Sequence, residues 1–188
     1  NDGEYLFPSH IKVPSDISFI GNTTTVFKLA DDSKSNVLFH IVSANNVTIS
    51  RIFIDGGEEK TQPMGSKENL LDRTDAGTRY GIWCEKSRRI KIHDVEIYGW
   101  DLCGLYCRNN DAAADPNGRF YHAIELTNSS LYCNYYGLWF GQYGEYNRTE
   151  GCNFGDNFIG VLNEGGNNMY VGCNFNSNYC GFALNGDG

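Results

Sequence analysis

The chain has 188 residues, 40% of them apolar, which suits one domain with a core of its own. Its 23 Asp and Glu outnumber 15 Lys and Arg, for a net charge of −8. That balance argues against nucleic acid as a partner, and no apolar run is long enough to cross a membrane. No secretory leader is evident either, and a chain opening on Asn1 reads as a piece of a longer protein.

In chain order, the first long stretch is "YLFPSHIKVPSDISFIGNTTTVFKLADDSKSNVLFHIVSANNVTISRIFIDGG" (5–57). It consists of short apolar alternations broken by Asn, Asp, Ser and Gly, the pattern of brief strands between turns. An insertion (57–79) follows, carrying Asp72, Arg73, Asp75 and Arg79, with "NLL" (69–71) able to cover a sheet face. "GIWC" begins at Gly81, and the basic "KSRRIK" (86–91) is too short to reverse the charge balance. "IKIHDVEIYGW" (90–100) repeats the pattern of "VTISRIFIDGG" (47–57). "GLYC" begins at Gly104, and a second insertion (109–119) carries Asp111, Asp115 and Arg119. The remainder holds "GLWF" at Gly137, "GVLN" at Gly160 and "GFAL" at Gly181.

These phrases are one phrase repeated. From Gly81 the matching glycines are spaced 23, 33, 23 and 21 residues apart, and the long interval contains the second insertion. Three residues before the glycines stand Asp101, Asn134, Asn157 and Asn178; five or six before stand Tyr98, Tyr132, Phe154 and Phe175. No segment has helical periodicity. A unit this short cannot bury its own apolar face, so the repeats must stack. Strands then pair with their equivalents one turn on, about 4.8 Å away, and like side chains form vertical files. The expected fold is all-β: a right-handed, single-stranded parallel β-helix of about 21–23 residues per coil, forming one domain over 1–188. The L-x-x-L-x-L pattern of leucine-rich repeats is absent.

The seven cysteines include no C-x-x-C and no zinc spacing, which predicts free, core-facing thiols and favours assembly in a reducing cytoplasm. Sequons at Asn22, Asn46, Asn128 and Asn147 are expected by chance in so Asn- and Thr-rich a chain.

Alternation assigns faces. Ile82, Leu105, Leu138, Val161 and Phe182 should point inward, as should Cys84, Cys107, Phe140, Asn163 and Leu184. Trp83, Tyr106, Trp139, Leu162 and Ala183 should point out, followed by an outward file of Glu85, Arg108, Gly141, Glu164 and Asn185. Aromatics in a row on a sheet suit the apolar faces of sugar rings, with charged neighbours for the hydroxyls. They equally suit packing under a loop or against another subunit. Trp83, Tyr106, Trp139, Arg108 and Glu164 are the candidate substrate-binding residues.

Residues 5–57, with "L.P", "I.VPSDISFIG", "F.LAD" and "NNVTISRIFIDG", resemble the opening coils of the pectate-lyase-like superfamily. The resemblance implies a right-handed parallel β-helix that handles polysaccharide, in secreted lyases and hydrolases or in trimeric phage tail spikes. The lyase signatures W-I-D-H and R-x-x-P-x-x-R are absent, as are the polygalacturonase N-T-D and G-H-G; "RIK" (89–91) matches one element by letters alone. The favoured expectation is a glycan-recognising segment of a phage tail spike or appendage, with or without depolymerase activity. It would be a homotrimer in the virion, assembled in the host cytoplasm. Alternatives are a secreted bacterial polysaccharide lyase or glycoside hydrolase, and an inert β-helical shaft.

A glycosidase needs two carboxyl groups about 5 to 10 Å apart. Glu85 and Glu164 share a file but stand three coils apart, so the catalytic candidates are Glu85 with Asp72 or Asp75 from the first insertion. His93 and His122 could act as bases, but nothing places a partner beside either. A lyase would use Arg108 and a cation such as calcium. Otherwise no cofactor is expected, and no calcium cluster is evident.

Overall fold

The computed structural model describes residues 3–57, 78–109 and 123–185. Among these residues the chain forms twenty strands and no helix. They are β1 (Gly3–Phe7), β2 (Ile11–Lys12), β3 (Ile17–Ile20), β4 (Thr25–Leu29), β5 (Val37–Val42), β6 (Asn45–Ser50), β7 (Phe53–Asp55), β8 (Tyr80–Glu85), β9 (Arg88–His93), β10 (Glu96–Tyr98), β11 (Cys103–Arg108), β12 (Ile124–Thr127), β13 (Ser130–Tyr132), β14 (Tyr136–Phe140), β15 (Arg148–Glu150), β16 (Asn153–Gly155), β17 (Ile159–Asn163), β18 (Met169–Val171), β19 (Asn174–Asn176) and β20 (Cys180–Leu184).

Every third strand joins the same sheet. The front sheet runs β2-β5-β8-β11-β14-β17-β20, the second β3-β6-β9-β12-β15-β18, and the third β1-β4-β7-β10-β13-β16-β19. The pairing is parallel throughout, as in β8 with β11 and β11 with β14. A parallel pair needs a long crossover, and here the rest of the coil supplies it. This is the right-handed parallel β-helix that the repeat predicts.

The core is three apolar files that meet. Phe39, Ile82, Leu105, Leu138 and Val161 lie in register on the front sheet. Ile49, Ile92 and Leu126 do so on the second, and Ile54, Ile97, Leu131 and Phe154 on the third. All of these are fully buried. Phe182 and Leu184 occupy the expected inner positions but are 37% and 75% exposed, because β20 has no described coil beyond it to cover them.

The asparagine file exists. Asn157 Oδ1 accepts from the backbone N and Nδ2 of Asn134 at 3.0 and 3.1 Å. Asn178 Oδ1 accepts from the same atoms of Asn157 at 2.9 and 3.0 Å. Each Nδ2 also reaches a strand carbonyl: Ile97 from Asn134, Leu131 from Asn157, Phe154 from Asn178. The head of the file differs from the sequence expectation. The Trp100 N–H, not Asp101, donates to Asn134 Oδ1 at 3.0 Å. Asp101 sits one residue on and accepts from the backbone N and Nε of Arg79 at 2.6 and 2.9 Å. A second file runs through the Asn147 sequon, whose fully buried side chain accepts from Ile124 N and donates to Asn168 Oδ1.

All seven cysteines are free. Cys84, Cys107 and Cys152 lie in the core, as predicted. Cys103 is buried but faces the other way, under the outer aromatics, since it pairs in register with Tyr80 and Tyr136. Burial pushes the Cys103 thiol well up and that of Cys152 up to about 11. The thiolate is the reactive form. A reagent must also reach the sulfur, and Cys84, Cys103, Cys107 and Cys152 are buried, so at pH 8 Ellman's reagent should react only with Cys133, Cys173 and Cys180 in the native protein. All seven should react in denaturant; rapid native labelling of Cys84 or Cys103 would contradict this packing.

Candidate functional site

Strict alternation fails at the repeating glycine, and this failure builds the outer face of the front sheet. Tyr80 pairs with Cys103 and Ile82 with Leu105, but the register skips Gly81 and Gly104. Gly81 is turned toward the interior: a Cβ there would lie 2.7 Å from Gly104 O and 2.9 Å from Nε1 of the buried Trp100. Ile82 also points in, so Tyr80 and Trp83 emerge together, ring centroids 4.7 Å apart. The same happens around Gly137, where Tyr136 and Trp139 lie 5.1 Å apart. Tyr80 and Tyr136 therefore belong to the face, and the sequence reading missed them. The available signal was the doubled "YG" before each "IW" or "LW".

The predicted outward file is present in register: Trp83, Tyr106, Trp139, Leu162, Ala183, with His40 and Lys12 extending it upward. Its middle ring is not open to solvent. Tyr106 is 7% exposed, packed at 5.1 Å against Trp83 and 4.6 Å against Trp139. Gly141 leaves room for it, because a Cβ there would meet the Tyr106 ring at 3.0 Å. Trp83, Trp139, Tyr80 and Tyr136 remain half-exposed around it.

The charged file beside the rings is tied to them. Trp83 Nε1 donates to Glu85 Oε2 at 3.4 Å, and Trp139 Nε1 to Glu164 Oε2 at 2.9 Å. Arg108 Nε and Nη2 donate to Glu85 Oε2 at 3.3 and 3.2 Å, and its Cζ lies 5.2 Å from the Trp83 ring centroid. Asn185 Nδ2 donates to Glu164 Oε1 at 2.9 Å. Burial pulls the Arg108 pKa down, but the Glu85 and Tyr106 bonds outweigh it and raise it. Burial pushes the Tyr80 phenol up to about 12 and raises Tyr106 and Tyr136, so all three stay donors at neutral pH. His40 is pulled down by burial and by nearby His10.

Of the catalytic candidates, Glu85 is seen and is engaged by Arg108; Asp72 and Asp75 lie outside the described residues, as does His122. Glu85 and Glu164 are separated by the Arg108 and Gly141 positions of the file, roughly 14 Å at the usual strand spacing, too far to act as a pair. His93 Nδ1 lies 2.8 Å from Asp94 Oδ2, away from this face. No group of three or more His, Cys, Asp or Glu side chains among the described residues could hold a metal. A polar cleft of about 440 Å³ opens near the junction of the third and front sheets. In it Lys28 bridges Glu4 and Asp55 at 3.0 and 2.9 Å, an arrangement set by the pairing of β1, β4 and β7.

The class that fold and face define is a parallel β-helix with an aromatic, carboxylate-edged front sheet. No protein-family model matches the chain, and no curated protein matches it. Among solved structures, it is similar to the crystal structure of a candidate glycosyl hydrolase from Parabacteroides merdae ATCC 43184. The match is 14% identical, covers 92% of this chain and 77% of that one, and has a TM-score of 0.37.

Proposed function

We propose that the chain is a glycan-recognising β-helix whose front sheet is the docking face. One observation carries the reading. Four half-exposed aromatic rings surround a buried fifth on a rigid sheet, and the indole N–H groups of two of them are fixed by carboxylates whose other lone pairs can meet hydroxyls. Sugar recognition needs both parts, an apolar plane and charged acceptors at its edge. Few-rotamer aromatics supply that plane at low entropic cost.

The finer reading places the chain in the pectate-lyase-like superfamily, as part of a trimeric phage tail spike or appendage; a secreted lyase or hydrolase is its alternative. Any cleavage would pair Glu85 with a carboxyl from 58–77, such as Asp72 or Asp75. The competing reading is an inert shaft, and the mutual packing of Tyr106, Trp83 and Trp139 favours it.

Trp139→Ala separates the two. A glycan-docking face should lose about 2 kcal/mol of binding, roughly thirtyfold in Kd, as central aromatic anchors do. The far-ultraviolet β-signature should remain. Binding of a polysaccharide panel that is unchanged in Trp139→Ala and Trp83→Ala would leave the shaft standing. Sedimentation tests the spike assignment, for which a trimer is expected. New reducing ends would mark a hydrolase, and ultraviolet-absorbing unsaturated ends a lyase.

A further inference from the structure

Taking the front sheet as the docking face proposed above, we infer that it selects a neutral glycan strand over a polyuronate, and that Glu85 sets this selectivity by holding Arg108. The inference rests on that reading and goes beyond it, to the charge of the ligand.

A face that binds uronates must offer a cation to each carboxylate it meets. Along the aromatic run the described cations are Arg79, Arg108 and Lys86: Arg79 Nε is paired with Asp101 Oδ2 at 2.9 Å, and the other two stand beside Glu85. Arg108 gives two N–H bonds to Glu85 Oε2, and Lys86 Nζ stands 3.9 Å from Glu85 Oε1. Arg108 is further fixed by the Trp83 ring beneath it. The Glu85 side chain is 17% exposed. Withdrawing Arg108 toward a ligand would leave that carboxylate poorly hydrated, with the long Trp83 bond at 3.4 Å and distant Lys86. An ordinary surface pair would cost little to open. This one is half-buried and stacked.

The other end of the face repels anions. Glu164 is held by two neutral donors, Trp139 Nε1 and Asn185 Nδ2, so no cation in that set balances its charge. Lys12 lies two strands beyond Trp83 in the file, outside the aromatic run. Among the described residues, the aromatic run offers a ligand apolar ring surface, phenol donors and carboxylate acceptors, a set that suits hydroxyls. Glu85 is then a specificity residue: it engages the guanidinium of Arg108, the one that stands in the front-sheet file among the described residues.

The test measures binding of the whole chain to neutral polysaccharides (glucan, mannan, galactan) and to polygalacturonate and alginate of matched length. The wild type should bind at least one neutral polymer, and polyuronates about tenfold more weakly or worse. Glu85→Gln should free Arg108 and gain about tenfold for polyuronate, a gain erased by 0.5 M salt (roughly the Debye screening of exposed charges) and absent from the Glu85→Gln/Arg108→Gln double variant. Polyuronate bound by the wild type as tightly as the neutral polymers would overturn the inference and leave the docking face intact. So would a folded Glu85→Gln with no gain, folding being checked by its melting curve. Binding to no polymer at all would overturn the docking reading, and this inference with it.

Discussion

Asn157→Ala is expected to lower the unfolding free energy by about 3–5 kcal/mol, the range for breaking a buried polar network. The side chain is 1% exposed. Its Oδ1 holds two donors of Asn134, and its Nδ2 serves both Leu131 O and Asn178 Oδ1. Alanine would strand partners on both neighbouring coils in a place water does not reach. Asn178→Ala should cost less, about 1–2 kcal/mol, because it strands donors on one side only and lies nearer the exposed end. Urea unfolding followed by circular dichroism reads both. Equal, small effects would mean that the file is an ornament of the stacking and not one of its causes.

Gly137→Ala should be comparably damaging, at about 2–4 kcal/mol, the range for an overpacked backbone approach. A Cβ there would stand 2.6 Å from Gly160 O and 3.0 Å from Asn157 Nδ2, and the carbonyl belongs to the next coil's backbone. The matched control is Gly172→Ala. That residue has φ +60° with open space around it, and the equivalent turn positions are held by Arg51, Asp94 and Asn128, also left-handed. Its cost should be only about 1 kcal/mol, the ordinary penalty for a non-glycine residue there. A Gly172→Ala variant less stable than Gly137→Ala would show that turn geometry, not coil approach, limits the fold.

The two sets of positions differ in how far they can be read without coordinates. The Asn134, Asn157 and Asn178 file was legible, because a repeating unit that cannot bury its own face must stack, and stacking superimposes equivalent residues. The inner files through Ile82 and Cys84 were legible for the same reason. Asp101 was misplaced because a column of letters does not say where one coil is a residue longer. Trp100 takes its position at the head of the file, and Asp101 is left to Arg79. Tyr80 and Tyr136 were missed because period-2 alternation was carried through a glycine where the backbone turns the glycine and the residue after it both inward.

By itself, then, the sequence determined the period, the fold and the residues that queue in files, since all of these follow from repetition and the two-residue alternation of a strand. Only the tertiary structure decided which outward side chains are open. Tyr106 points out and is roofed over, Cys103 points out and is sealed, and Arg108 is outward and already neutralised by Glu85. The physical reason is that direction is a local property of the backbone, whereas exposure and free charge depend on what the neighbouring coils place within a few ångströms.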